Sequence, residues 1–386
     1  FEILAAKKKL EAFHKRIPQS YALEDPMLSF GLVNVPSNFS LVEEDMTMKE
    51  FSVYQKIPLP GARRLKKEVA EKEAEAISFE VEDKANEIIR NLKLAYYDLA
   101  HIYQATEIIQ RNKKILGDFV KIAQTRYALG EGVQYDVLKA HVEISKMIDE
   151  QIMLTQKKTA FEAKLKSLLS RPQETALGKP QGIVFKKFSL NPAALQEIAV
   201  AHNPSLKKME KMIRVKEKDY LLAQQEYYPD LGLRFSYAQR DDRANMARRD
   251  LLSAMVEVSI PIFYKTRQDP RVAEKLAEVQ VAEAQYAAMK NEVFFMIADT
   301  LAMITRLESQ VALYRSGIIP QASLQLNSAI SAYKVDKVNF MTMIDSQMTL
   351  YLYELEYHQA SAEYEKTVAQ LENIIGRRFS PMERSR

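Results

Sequence analysis

Residues capable of chemistry are sparse and dispersed in this chain. There is no cysteine, which excludes disulfides, thiolate metal centres and cysteine nucleophiles. The histidines, His14, His101, His141, His202 and His358, are scattered, and none are paired at i and i+4, the spacing that puts two imidazoles on one helical face for a zinc ion. Met341, Met343 and Met348 cluster, and thioethers are soft ligands, but methionine on a helix chiefly fills core space. No phosphate loop, HExxH or nucleophile motif occurs, so neither catalysis, a cofactor nor a resident metal is expected.

One pairing of charge and apolar surface stands apart. Leu231, Leu233, Phe235 and Tyr237 alternate with Gly232, Arg234, Ser236 and Ala238, and Leu252, Ala254, Val256, Val258 and Ile260 alternate with Ser253, Met255, Glu257 and Ser259. Two strands with an apolar face opposite one carrying Arg234 and Glu257 suit lipid on one side and water on the other. A soluble antiparallel sheet with one buried face would show the same alternation.

The elements around these strands are unusual. Ala62 to Arg126 contains no proline and only Gly117, which predicts a helix on the order of 100 Å at ~1.5 Å per residue. Ile77, Val81, Ala85, Ile88, Leu92, Ala95, Leu99 and Ile102 form one apolar stripe, and Ile89, Tyr96 and Tyr103 form a second. One stripe serves a two-stranded coiled coil, whereas two stripes suit a helix with neighbours on both sides, as in a ring of helices. Arg271 to Tyr333 repeats the design, with a bend expected near Gly317 and Pro320. The composition, 47% hydrophobic and 27% charged with 10 glycines, is that of an ordered, helix-rich protein. A net charge of +4 is close to balance and makes no argument for nucleic acid. No apolar run is long enough for a transmembrane helix, which leaves β-strands open as a membrane element.

In chain order, a helix from Phe1 is expected to end at Pro18, followed by a strand pair within 27–58. The long helix turns at the glycines of Tyr127-Ala128-Leu129-Gly130-Glu131-Gly132 and returns from about Val133 to Ser170. The stretch from Pro172 to Asn191 reads as a linker. Helices from Pro192 and Pro204 follow, then the strand pair within 230–262, a second long helix, a tip near Asp336, and a return from about Val338 to Gly376. The expected organisation is a first structural repeat over 1–171, a linker and short equatorial helix over 172–203, a second repeat over 204–377, and a disordered tail over 378–386. An offset of 206 residues aligns Tyr127 with Tyr333, Glu150 with Glu356 and Arg171 with Arg377. The chain opens without Met inside an amphipathic pattern, so a processed N-terminus, with any export signal outside this sequence, is expected. Four strands cannot close a barrel and open edges are not tolerated in lipid, so membranous strands require oligomerisation. Three copies give twelve strands around a water-filled pore, and two give eight around an interior largely filled by side chains.

The segments Glu24-Asp25-Pro26-Met27-Leu28-Ser29-Phe30-Gly31, Gln55-Lys56-Ile57-Pro58-Leu59-Pro60-Gly61, Arg126-Tyr127-Ala128-Leu129-Gly130, Asp136-Val137-Leu138 and Ser259-Ile260-Pro261-Ile262-Phe263, in this order, resemble the TolC-like family of outer membrane efflux proteins, most of all its CzcC and CusC metal-efflux branch. The resemblance covers essentially the whole chain. It implies a mainly α fold with a small β portion, in which long helical hairpins form a periplasmic α-barrel. Four strands per chain would contribute to a trimeric twelve-stranded transmembrane β-barrel in the outer membrane lipid. The implied partners are two further copies, a periplasmic adaptor and an inner membrane RND-type pump, and the implied role is a passive export conduit for metal ions or small toxic compounds. The same fold serving type I protein secretion, and a soluble coiled-coil protein with a capping sheet, are the alternatives.

By resemblance, Asp345 matches a pore-facing acidic position that a trimer would repeat as a ring. Asp136 and Tyr333 match a gate pair in which a phenol donates to a carboxylate. Arg126, Gly130 and Gly132 match the tip where an adaptor docks. This chain carries Val338 where a gate arginine can stand and Thr342 where a second aspartate can stand.

Overall fold

The computed structural model describes residues 1–58, 60–187, 191–242 and 246–379. Of the segments read from the sequence, residues 380–386 of the expected tail, Leu59 of the Pro-Leu-Pro-Gly motif, residues 188–190 of the linker and residues 243–245 of the polar loop lie outside the described residues. The elements are α1 (Glu2–Ser20), β1 (Met27–Val33), β2 (Met48–Ile57), α2 (Pro60–Ala128), α3 (Gln134–Leu168), α4 (Pro192–His202), α5 (Pro204–Gln225), β3 (Asp230–Gln239), β4 (Leu251–Ser259), α6 (Gln268–Leu313), α7 (Ile319–Lys334) and α8 (Phe340–Ile375). Two compact units divide the chain, and their boundaries fall inside α2 and α6 and at the start of α5.

One unit spans residues 2–81 and 205–289 and holds the sheet. Its four strands are antiparallel in the order β1-β2-β3-β4. The register places Leu28 opposite Val53, Val53 opposite Phe235 and Phe235 opposite Ala254, and likewise Phe30, Phe51, Tyr237 and Leu252 in one row. Successive side chains alternate sides, so these residues share one face, and it is bare: Leu28 is 78% and Leu252 85% exposed. The opposite face carries Ser29, Ser52, Tyr54, Arg234, Ser236 and Glu257.

In the same unit α5 lies antiparallel to the first part of α2. Lys208, Lys211 and Lys218 on α5 pair with Glu80, Glu75 and Glu68 on α2 at 2.5, 2.9 and 2.7 Å. Each pair is partly exposed and individually weak, but their order fixes one axial register. Small side chains, Ala70, Ala74 and Ala76, are buried on α2, which lets a neighbouring backbone approach. Glu278 on α6 is held by Lys216 and Lys275 at 2.8 and 2.6 Å, and these hydrogen bonds lower its carboxyl to about 2.

The other unit spans residues 82–204 and 290–386 and is helical. Ile109 and Leu116 from α2, Met147 from α3, and Phe340, Ile344 and Tyr351 from α8 form its core. Within this apolar cluster Gln347 on α8 donates to Asn112 on α2 at 2.5 Å, and both are buried. A matched polar pair in an apolar seam penalises axial slippage, because any shift strands both amides.

One expectation is corrected. Pro18 does not end α1, which continues to Ser20; three residues from a helix end, proline costs a single backbone bond and its fixed φ is helical. Near Gly317 and Pro320, where a bend is expected, a π-helical turn, Tyr314–Ile318, joins α6 to α7 and places Pro320 in the first turn of α7, and such turns are an identifiable cause of kinks.

The end of α8 is set by Gly376, at φ +71°. A Cβ there would lie 2.3 Å from the His202 carbonyl oxygen, and Asn203 Nδ2 donates to the Ile374 carbonyl at 2.7 Å. Gly130, at φ +72°, has open space around it. We therefore expect Gly130→Ala to cost about 1 kcal/mol, the left-handed penalty alone, and Gly376→Ala to lower the thermal midpoint several-fold more, followed by circular dichroism of detergent-solubilised protein.

Candidate functional site

The residues singled out in the sequence converge at two helical tips, both in the helical unit. At the first, α2 closes on Gly130: Glu131 N–H donates to the Arg126 carbonyl at 2.9 Å and Gly130 N–H to the Tyr127 carbonyl at 3.1 Å. At the second, α7 closes on Asp336, whose φ is +55°: Lys337 N–H donates to Ala332 and Asp336 N–H to Tyr333, at 2.9 and 3.2 Å. This is one cap motif used twice, with all four positions displaced by 206 residues. The returning helices begin differently. Asn339 Oδ1 accepts from the Thr342 N–H at 2.9 Å and caps α8, whereas Val133 supplies no side-chain cap to α3.

Arg126 ties the tips together. Its Nη1 donates to Asp336 Oδ1 at 2.6 Å, and its guanidinium carbon lies 4.5 Å from the centroid of the Tyr333 ring. Gly132 permits this placement, since a Cβ there would come within 3.2 Å of Arg126 Cβ and of the Tyr127 nitrogen. The pair is solvated on one side, with Arg126 22% and Asp336 76% exposed, so it adds little to stability. Tyr333 is buried against Phe340, centroids 5.7 Å apart. Burial raises its hydroxyl above the usual range, the nearby Arg126 charge opposes this, and Asp136 adds to it.

Asp136 occupies the first turn of α3. Burial raises its carboxyl above the ordinary range, despite the favourable helix N-terminus. Among the described residues no hydrogen bond joins the Tyr333 phenol to Asp136; the aromatic ring is engaged by Arg126 instead. Asp345 is exposed on α8 between buried Ile344 and Ser346. The nearest cation it influences is Lys139 on α3, which is held chiefly by Glu143. The structure thus brings Arg126, Tyr333 and Asp136 together and leaves Asp345 facing away from the core.

Two participants escaped the sequence reading. Asp336 carries both the left-handed turn and the carboxylate for Arg126; its displacement of 206 from Gly130 was a usable signal, because aspartate tolerates that conformation. Glu143, buried and bonded to Lys139 and Lys146 at 3.0 and 2.9 Å, gave no signal in its sequence neighbourhood.

The tip is built from caps, one bridging ion pair and a stacked phenol. A sheet with a bare apolar face and capped helical tips are each features expected of an export channel subunit. The sequence model described as Outer membrane efflux protein matches residues 1–171 and 195–377. The chain belongs to the outer membrane efflux protein family. It is 20% identical over 98% of its length to the cobalt-zinc-cadmium resistance protein CzcC of Cupriavidus metallidurans, covering 87% of that protein. It is 22% identical over 73% of its length to the outer membrane efflux protein BepC of Brucella suis, where the match spans 62% of that relative. Among solved structures, the outer membrane protein VceC of Vibrio cholerae superposes with a TM-score of 0.80 at 16% identity, covering 98% of this chain and 93% of that one. CusC superposes with a TM-score of 0.82 at 15% identity, covering 98% and 89%. As a member of this family the chain is an outer membrane channel protein that extends into the periplasm, with the TolC-like fold.

The raised Asp136 carboxyl has a definite sign. The protonated form is favoured in the folded tip, so the stability this group contributes is present at low pH and is lost as pH rises through its folded value. Asp136→Asn is expected to raise the thermal midpoint at pH 7, with the difference from the parent shrinking as pH falls and the carboxyl protonates; hydrogen exchange at the tip amides would follow the same pattern.

Proposed function

We propose that three copies of this chain form a passive export conduit across the outer membrane, operating with a periplasmic adaptor and an inner membrane pump. The observation that carries the reading is the sheet. β1 and β4 each present an edge unpaired among the described residues, and one face is largely apolar, with Leu28, Phe30, Phe51, Val53, Phe235 and Leu252 exposed. In lipid, unpaired backbone groups cost several kcal/mol each. Closure with further copies satisfies both edges, and twelve strands leave an aqueous lumen.

Uncovered apolar positions on the helices support the same assembly. Leu138, Val142 and Ile152 are exposed on α3, and Phe295, Met303, Leu313 and Leu324 on α6 and α7. Surfaces of this kind on two separate helices suit a heterologous contact, which closes a ring when repeated.

The tips are the gate in this reading. The Arg126–Asp336 pair and the Arg126–Tyr333 stack hold the two hairpins together, in a chain that has Val338 at the position of the gate arginine found in relatives. Asp345, exposed on α8, would form a ring of three carboxylates, and Asp136 would line the same region. Arg126, Gly130 and Gly132 would present the turn to the adaptor. Cargo is read from the CzcC resemblance as metal cations, with small toxic compounds as the broader class. Electron micrographs of detergent-purified protein should show three-fold particles, and a monodisperse monomer would overturn the trimer. In planar bilayers, Arg126→Ala and Asp336→Ala should both raise single-channel conductance above the parent, with little change in thermal midpoint.

A further inference from the structure

The polar face of the sheet carries a charge imbalance with one residue as its source. Five charged side chains stand on that face within the strands: Glu50 and Lys56 on β2, Asp230 and Arg234 on β3, and Glu257 on β4. Both cations are committed. Lys56 Nζ lies 2.9 Å from Asp230 Oδ2, and Arg234 Nε donates to Glu257 Oε1 at 2.7 Å. Among the described residues Glu50 has no ion pair, so the face carries an excess of one negative charge per chain.

The packing keeps it so. Glu50 sits between Gly31 on β1 and Ala238 on β3, and nothing lies within 4 Å of where a Gly31 Cβ would be. The Gly31 flank is therefore open, whereas Ala238 is buried and Glu50 itself is half-buried. Arg234, the cation whose other charged neighbours include Glu50, is restrained away from it. Besides its bond to Glu257, its guanidinium carbon lies 5.1 Å from the Tyr54 ring centroid. Tyr54 is in turn pressed flat over Gly232, where a Cβ would come within 2.6 Å of its ring. Cation–π contact and a charge-assisted bond together hold the guanidinium in place.

We propose that Glu50 is the charge-selecting residue of the membrane-level lumen: three Glu50 carboxylates, one per copy, favour cations, while the Arg234–Glu257 and Lys56–Asp230 pairs cancel internally. This rests on the trimeric pore reading, and it is separate from any ring formed by Asp345 at the tips. A ring of carboxylates attracts cations as long as its field reaches across the pore. At 0.1 M salt that reach is about 10 Å, and at 1 M about 3 Å.

The test is the reversal potential of the purified, reconstituted full-length chain in planar bilayers under a potassium chloride gradient. At a mean salt near 0.1 M the parent should prefer potassium, and Glu50→Gln should reduce the potassium-to-chloride permeability ratio by roughly twofold or more. Glu50→Asp should retain it. Glu257→Gln, which strips the partner from Arg234, should shift the ratio toward chloride, and Arg234→Gln should raise it above the parent. All differences should collapse near 1 M. Pores that conduct with the same ratio in the parent, Glu50→Gln and Glu257→Gln, or a ratio that moves only in Asp345→Asn, would overturn the assignment while leaving the conduit intact. No conductance in either the parent or Asp336→Ala would remove the pore reading and this inference together.

Discussion

Backbone hydrogen bonding at the two sheet edges is the constraint from which the rest of the molecule follows. Four antiparallel strands pair internally through three ladders and leave the outer rows of β1 and β4 unpaired. In water those rows are hydrated at little cost, and in a bilayer they are not. An exposed apolar face makes water the wrong solvent for this sheet, and open edges make lipid the wrong solvent for a single copy. Closure with further chains, as proposed above, would satisfy both and would turn the polar face inward.

The helices meet a different demand, which is to hold long elements in one register with modest forces. In the unit that bears the sheet, lysines of α5 meet glutamates of α2 in antiparallel order. None of these pairs is strong, and together they exclude the slipped alternatives. In the helical unit the same task falls to an apolar seam with one buried amide pair, Asn112 and Gln347. The apolar seam extends to the tips through Tyr333, Phe340 and Met343. Beyond that seam the two hairpins are joined by one solvated ion pair and a stacked tyrosine.

Much of the fold was legible because it depends on local pattern. Alternation at period two located β3 and β4 to within a few residues, the scarcity of glycine and proline announced α2, and paired glycines marked the first tip. Where the reading failed, context outweighed a local rule. Pro18 remains helical because it stands so near the helix end. At the site, Arg126 was identified through its turn, but its partner Asp336 was not, since the two are 210 positions apart in sequence and nothing local pairs them.

The sequence by itself determined the element types, the two-faced strands and the twofold order of helices and strands, all of which follow from periodicity and from the backbone preferences of glycine and proline. Only the tertiary structure decided which charges are spent and which remain. Arg234 is held by Glu257 and Tyr54, Arg126 by Asp336 and Tyr333, and Glu50 by no ion pair among the described residues. Pairing of that kind is a matter of distance between strands and helices remote in sequence, and no local pattern encodes it.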